Sequence, residues 1–156
     1  MHKLRIYIDT SVIGGCFDEE FAEWSNKLFD EFIDGKKIAV ISEVVVEELS
    51  KASNNIQNRI NDIDSSNLEI IFRNNEVDLL AFQYIECGAI TTKYKEDALH
   101  IALATYYNVD VLVSWNFKHI VNLNRILKYN SVNLSNGYKI IEIRTPKEVI
   151  SNEERF

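Results

Sequence analysis

Little in this sequence staples, bends or anchors it. Of its 156 residues two are cysteines, one is proline and five are glycines. Cys16 and Cys87 make no disulfide framework and lack the spaced partners of a zinc site, which leaves two free thiols in a reducing compartment. Low-complexity tracts are absent. No apolar run approaches the ~20 residues that cross a bilayer. Met1-His2-Lys3-Leu4-Arg5 leads straight into a strand-like segment, without the apolar region of a secretion signal. The expectation is a cytoplasmic protein with no membrane contact. Basic charge is short as well: 17 Lys and Arg face 24 Asp and Glu, a net charge of −7. Avid, non-specific nucleic-acid binding rests on Lys and Arg neutralising phosphates, so the charge argues against a protein devoted to it. It does not argue against an enzyme acting on nucleic acid, because a divalent cation in a carboxylate site reverses the local sign. Lys36-Lys37, Lys93 with Lys95, and Lys118 with Arg125 and Lys128 are candidate phosphate contacts or plain solvated charge.

What is present is core. Hydrophobic residues make up 46% of the chain, and a domain of about 150 residues buries roughly two-thirds of its unfolded surface. The length suits one domain, taken as 1–156. Leu4 to Ile8 is rich in strand formers and stops at the turn-prone Asp9-Thr10-Ser11. Asp18, Glu19 and Glu20 load acid onto the start of a helix carrying Phe21, Trp24, Leu28 and Phe32, and Gly35 stands where it should end. Ile38 to Ile41 is a second buried strand, and Ser42 caps a helix with Val44, Val45, Leu49 and Ala52 on one face. The expected order continues with a polar helix through Ile56, Ile60 and Ile63, then a strand from Leu68 to Phe72. Helices over 76–87 and 92–107 follow, then the strand Val111-Leu112-Val113. A helix through Ile120, Leu123 and Leu127 and a strand from Lys139 to Ile143 come next. Thr145-Pro146-Lys147-Glu148 then opens a short last helix. Strands alternating with helices predict an α/β fold of three layers, α/β/α, with a mostly parallel central sheet. Such sheets bind ligands outside the carboxyl ends of their strands. That rule points to Asp9, to Ser42 with the helix it opens, and to Ser114-Trp115-Asn116.

Glu48 is the most informative residue there. Its helical neighbours are Val44, Val45 and Ala52, the apolar face, whereas Glu47 shares a side with Glu43 and Lys51. A carboxylate on a core-facing stripe is unfavourable unless paired or bound to a metal; a slight roll of the helix towards water is the plainer alternative. Asp9 alone reads as a helix cap or turn former. Asp97 alone reads as an acid favoured by the start of its helix.

Four segments in series then resemble the motifs of the PIN-domain family. They are Ile6-Tyr7-Ile8-Asp9-Thr10-Ser11, Ser42 to Leu49, Asp97 to Ala104, and Val113-Ser114-Trp115-Asn116-Phe117-Lys118-His119. Their order and spacing match over nearly the whole chain. The family includes VapC-type toxins of toxin–antitoxin pairs, which are metal-dependent ribonucleases. The resemblance implies Asp9, Glu48 and Asp97 as metal ligands, Asn116 completing the polar site, an RNA substrate, and an antitoxin as a possible partner. It also implies a homodimer, since small PIN toxins commonly pair through helices. Ser11 and Ser114 are accessory candidates; Ser11 either orients a water or phosphate or simply caps a helix. One departure stands at His119, where the family's last motif often carries an acid. It bears on a second metal site and leaves the first intact. Beside Asp9 and Asp97, His119 would be held protonated; otherwise it covers the start of its helix.

The chemistry agrees with this resemblance. Three carboxylates about 5 Å apart repel by ~3 kcal/mol per pair at an effective dielectric near 20, so without a cation one is pushed towards protonation. Oxygen-only ligands favour Mg²⁺ or Mn²⁺ over Zn²⁺. His100 reads as an ordinary half-buried residue, and Trp115 and Phe117 read as core, with base stacking the alternative. A haloacid-dehalogenase-type phosphoryl transferase would need an acid at position 11, which is Ser. Glycine-rich nucleotide motifs are missing. The remaining rival is a catalytically weak PIN-like module that binds RNA or protein.

Overall fold

The computed structural model describes residues 2–151; of the expected 1–156 span, residues 1 and 152–156 lie outside it. Its centre is a five-stranded sheet, entirely parallel, in the order β3-β2-β1-β4-β5. The strands are β1 (Arg5–Ile8), β2 (Ile38–Ser42), β3 (Leu68–Ile71), β4 (Val111–Val113) and β5 (Ile143–Arg144). β1 lies in the middle because Ile6, Tyr7 and Ile8 can be buried on both faces, and each is 0% exposed. Its register sets Ile6 against Ala39 on one side and Tyr7 against Leu112 on the other.

The helices are α1 (Thr10–Gly15), α2 (Ala22–Ile33), α3 (Glu43–Leu49), α4 (Asn54–Arg59), α5 (Asn75–Glu86), α6 (Lys95–Tyr106), α7 (Leu123–Ser135) and α8 (Pro146–Val149). α1 and α8 pack against α2, whereas α6 and α7 pack against α5, which gives the outer layers. α6 is buried from Ala98 to Thr105, and its apolar run covers the sheet. Gly35 and Gly88 close α2 and α5 with φ of 76° and 77°, a left-handed turn that glycine adopts without Cβ strain. Among the described residues no helix is long and apolar enough to cross a membrane.

Several expected boundaries move. The run after Asp9 is a helix, α1, because Asp9 caps it and Val12 and Ile13 are buried. α2 begins only at Ala22; Asp18 instead bends the chain, accepting from the Glu20 amide at 2.9 Å. The polar helix ends at Arg59 and passes into a 3-10 turn, and Ile63 is extended and buried. α6 starts at Lys95, behind a 3-10 turn at Thr92–Tyr94. α7 starts at Leu123, since Asn122 accepts from the Arg125 amide at 3.2 Å, which leaves Ile120 in the preceding turn. β5 is confined to Ile143–Arg144 because the Asn130 side chain takes both the amide and the carbonyl of Ile141. Lys37 is no phosphate contact: it is 5% exposed and paired with Glu31, whose carboxylate also accepts from the Ser151 amide at 3.0 Å.

Candidate active site

β1 ends by delivering Asp9 into the mouth of the sheet, where it is only 4% exposed. One carboxylate oxygen accepts from Ser11 Oγ at 2.6 Å and from the Val12 amide at 3.3 Å; the other accepts from Ser114 Oγ at 2.6 Å. Ser114 follows β4, the strand beside β1, so the sheet itself brings positions 9 and 114 together. Ser11 Oγ also accepts from the Trp115 amide at 3.0 Å, and Ser114 Oγ accepts from the Asn116 amide at 2.9 Å. Both serines therefore tie Asp9 to the loop after β4. Burial raises the Asp9 pKa, against the lowering effect of His100 and the two serines.

Glu48 reaches inward from the last turn of α3, one of the two outcomes its helical phase left open, while Glu47 is exposed. Its Oε1 accepts from Thr10 Oγ1 at 2.8 Å and pairs with His100 Nε2 at 2.9 Å. The other His100 nitrogen, Nδ1, stands 2.7 Å from Tyr7 OH, which stands 2.7 Å from Ser42 Oγ. A buried chain thus runs from the α3 cap through Tyr7 and His100 to Glu48. His100 is 2% exposed, not the half-buried residue expected. The available signal was its position three residues after Asp97, which puts both on one face of α6. Burial lowers the His100 pKa, but the bond to Glu48 and the charges of Asp9, Glu48 and Asp97 overcome this and raise it. Burial likewise raises the Glu48 pKa, and His100 and Thr10 together bring it below the ordinary value.

Asp97 sits in the first turn of α6 and accepts from Asn116 Nδ2 at 3.3 Å. Burial, helped by the charges of Asp9 and Glu48 and opposed by His100 and Asn116, pushes its pKa up to about 6. Asp9, Glu48, Asp97 and His100 therefore share one electrostatic neighbourhood. Glu48 and Asp97 open onto a cavity of about 420 Å³ lined also by Lys51, Lys93, Tyr94 and Glu96.

Asn116 has a second task, as its Oδ1 accepts from the amides of Lys118 and His119 at 3.2 and 3.0 Å. His119 departs from its expectation beside the acids. It stacks on Tyr94, ring centroids 3.8 Å apart, and its Nδ1 is buried with no partner among the described residues. Burial and then the charges of Arg125 and Lys118 lower its pKa, where proximity to Asp9 and Asp97 would have raised it. Trp115 is core: it stacks on Phe21 at 4.3 Å and its indole N–H donates to Ser25. Phe117 is not core, being 51% exposed.

The PIN domain family matches residues 6–118, a stretch that contains every one of these side chains except His119. The chain belongs to this family. No curated protein matches it in sequence. The solved VapBC2 of Rickettsia felis, bound to a DNA fragment from its promoter, has a similar fold. The TM-score is 0.58 at 19% identity, over 91% of this chain and 98% of that one. Mycobacterium tuberculosis VapC20, a sarcin-ricin loop cleaving toxin, is similar with a TM-score of 0.55 at 11% identity, over 73% of this chain and 92% of that one. At these identities the likeness is one of fold.

A divalent cation is the group this PIN domain implies. Among the described residues no group of three or more His, Cys, Asp or Glu is arranged to hold a metal ion. The site is held instead by its own hydrogen bonds, with both Asp9 oxygens and Glu48 Oε1 already engaged. In donor type and charge the residues do fit. The donors are hard carboxylate oxygens, and Asp97 resists ionising beside two other acids, a repulsion that a cation relieves.

Proposed function

We propose that this PIN domain is a metal-dependent endoribonuclease that hydrolyses RNA phosphodiester bonds in the cytoplasm, as the toxin of a toxin–antitoxin pair. One observation carries the reading: Asp9, Glu48 and Asp97 meet at the sheet's carboxyl edge closely enough for the first two to raise the pKa of the third. Asp9, Glu48 and Asp97 would hold Mg²⁺ or Mn²⁺. Such a cation lowers the pKa of a bound water and holds a phosphate for in-line attack.

The chain's own residues prepare that site. Ser11 and Ser114 orient Asp9, Thr10 and His100 orient Glu48, and Asn116 joins Asp97 to the loop after β4. His119 supports that loop through its stack on Tyr94 and supplies no ligand. The whole chain acts as one PIN-like domain, with an antitoxin and a second copy of itself as protein partners. The fold shared with VapBC2 and VapC20 supports the toxin reading. A second reading, an RNA- or protein-binding module of weak catalysis, is favoured by the engaged Asp9 and Glu48 oxygens.

Cleavage of a structured RNA separates the two. With Mn²⁺ the chain is expected to cut, and Asp9→Asn is expected to lower the rate at least ~100-fold, about 2.7 kcal/mol of transition-state stabilisation. Glu47→Gln, on the solvent face, should leave the rate within about twofold. Cutting that survives EDTA or Asp9→Asn would sink the nuclease reading.

A further inference from the structure

Beside the acidic cavity lies a larger one of about 700 Å³, lined by Lys118, Arg125 and Lys128 with Thr91, Thr92 and Asn122 among others. No Asp or Glu lines it, in a chain whose net charge is −7. Its cations also stand apart by how they are paired. Arg5, Arg59, Arg73 and Arg144 are each neutralised by a carboxylate. Arg125 alone among the described arginines is not. Its Nε and Nη1 donate to the backbone carbonyls of Lys118 and Ala89, at 3.0 and 2.7 Å. The guanidinium is thus held in place with no carboxylate against it, a preorganised hydrogen-bond donor for an anion. Lys118 and Lys128 are exposed and have no acidic partner among the described residues.

The two cavities adjoin along the chain. Thr91 and Thr92 line the basic one, and Lys93, Tyr94 and Asp97 line the acidic one. Tyr94, its ring against that of His119, lines the acidic cavity two residues after Thr92 of the basic one. The Lys118 amide donates to Asn116, whose amide donates to Asp97.

We propose that this cavity binds the phosphates of a single RNA strand and leads the strand over Tyr94 to the acids. The direction of the strand rests on the nuclease reading; the binding does not. Hydroxyl and amide groups around three cations suit a run of phosphates, because they add neutral hydrogen bonds to charge.

The test is binding of a single-stranded RNA oligonucleotide to the full chain in EDTA, followed by fluorescence anisotropy. Lys118→Glu with Lys128→Glu is expected to weaken binding at least about tenfold near 0.1 M salt. It should flatten the salt dependence of log K by about 1.4, from ~0.7 per phosphate contact on a single strand. Arg125 is left intact because it braces two carbonyls. Lys27→Glu with Lys147→Glu, two exposed lysines of α2 and α8 in the opposite helix layer, is the charge-matched control and should change affinity less than about twofold. Equal affinities of the double variant and the control would overturn the inference, as would an acidic protein partner whose binding alone responds. Displacement of the RNA by inorganic phosphate at its own low-millimolar affinity would also overturn it, since a strand contacts several sites together. Lost binding in the double variant alongside absent cleavage leaves the cradle standing and removes the nuclease reading. Unchanged binding alongside normal cleavage does the reverse.

Discussion

Asp97 holds a charge that its surroundings disfavour. Its pKa, pushed up to about 6, exceeds that of an unfolded aspartate, so its proton is bound more tightly in the folded state. The stability this contributes is fully present below the unfolded value near 3.9. It is lost as pH rises through about 6. Above pH ~7 the metal-free fold carries an ionised carboxylate facing Asp9 and Glu48. Asp97→Asn is therefore expected to raise the metal-free melting temperature at pH 8 by about 2–4 °C. That corresponds to about 1 kcal/mol for a chain of this size, after allowing for solvent screening of a partly exposed group. The gain should vanish near pH 4, and the variant should gain less from added Mn²⁺. Scanning calorimetry at the two pH values checks this; equal melting temperatures in both would mean the acids do not interact.

At the scale of elements, the site depends on how closely α1 approaches the loop after β4. A Cβ on Gly15 would lie 2.6 Å from Ser25 Oγ and 2.8 Å from Trp115 Nε1, closer than atoms pack. Trp115 is pinned between Phe21 and Ser25 and cannot yield cheaply. Gly15→Ala is expected to destabilise the fold by about 1–3 kcal/mol, read as a lower urea midpoint. It should also slow cleavage, because Trp115 flanks Ser114 and Asn116. An unchanged midpoint would show that the contact relaxes freely. This element was also the least visible in the sequence. Thr10-Ser11-Val12-Ile13-Gly14-Gly15 joins β-branched residues to two glycines, poor helix formers that only a cap and a buried face hold in a helix. The long periodic helices and apolar strands were legible for the opposite reason, since each carries its burial pattern in consecutive residues. β5 shrank because a side chain of α7, Asn130, competed for its backbone.

Across the whole molecule, apolar side chains remain uncovered on two adjacent helices. On α5, Leu79 and Phe82 are 58% and 52% exposed, and on α7, Leu123 and Leu127 are 72% and 60% exposed. Such residues support the proposed pairing of two copies through helices. Light scattering at micromolar concentration is expected to give about twice the 18.1 kDa of one chain. A monomer alone would refute the pairing. The α/β alternation, the mostly parallel sheet and the family resemblance were all legible along the chain, because they follow from periods and motifs in consecutive residues, whereas the phase of Glu48 left both an inward and a solvent-facing side chain open. Four features emerge only once the chain is folded: His100 grips Glu48, His119 turns to Tyr94, Lys37 is buried against Glu31, and Asp97 resists ionising. Those outcomes depend on distances between residues far apart in sequence, such as 48 and 100, and on burial that no local window contains.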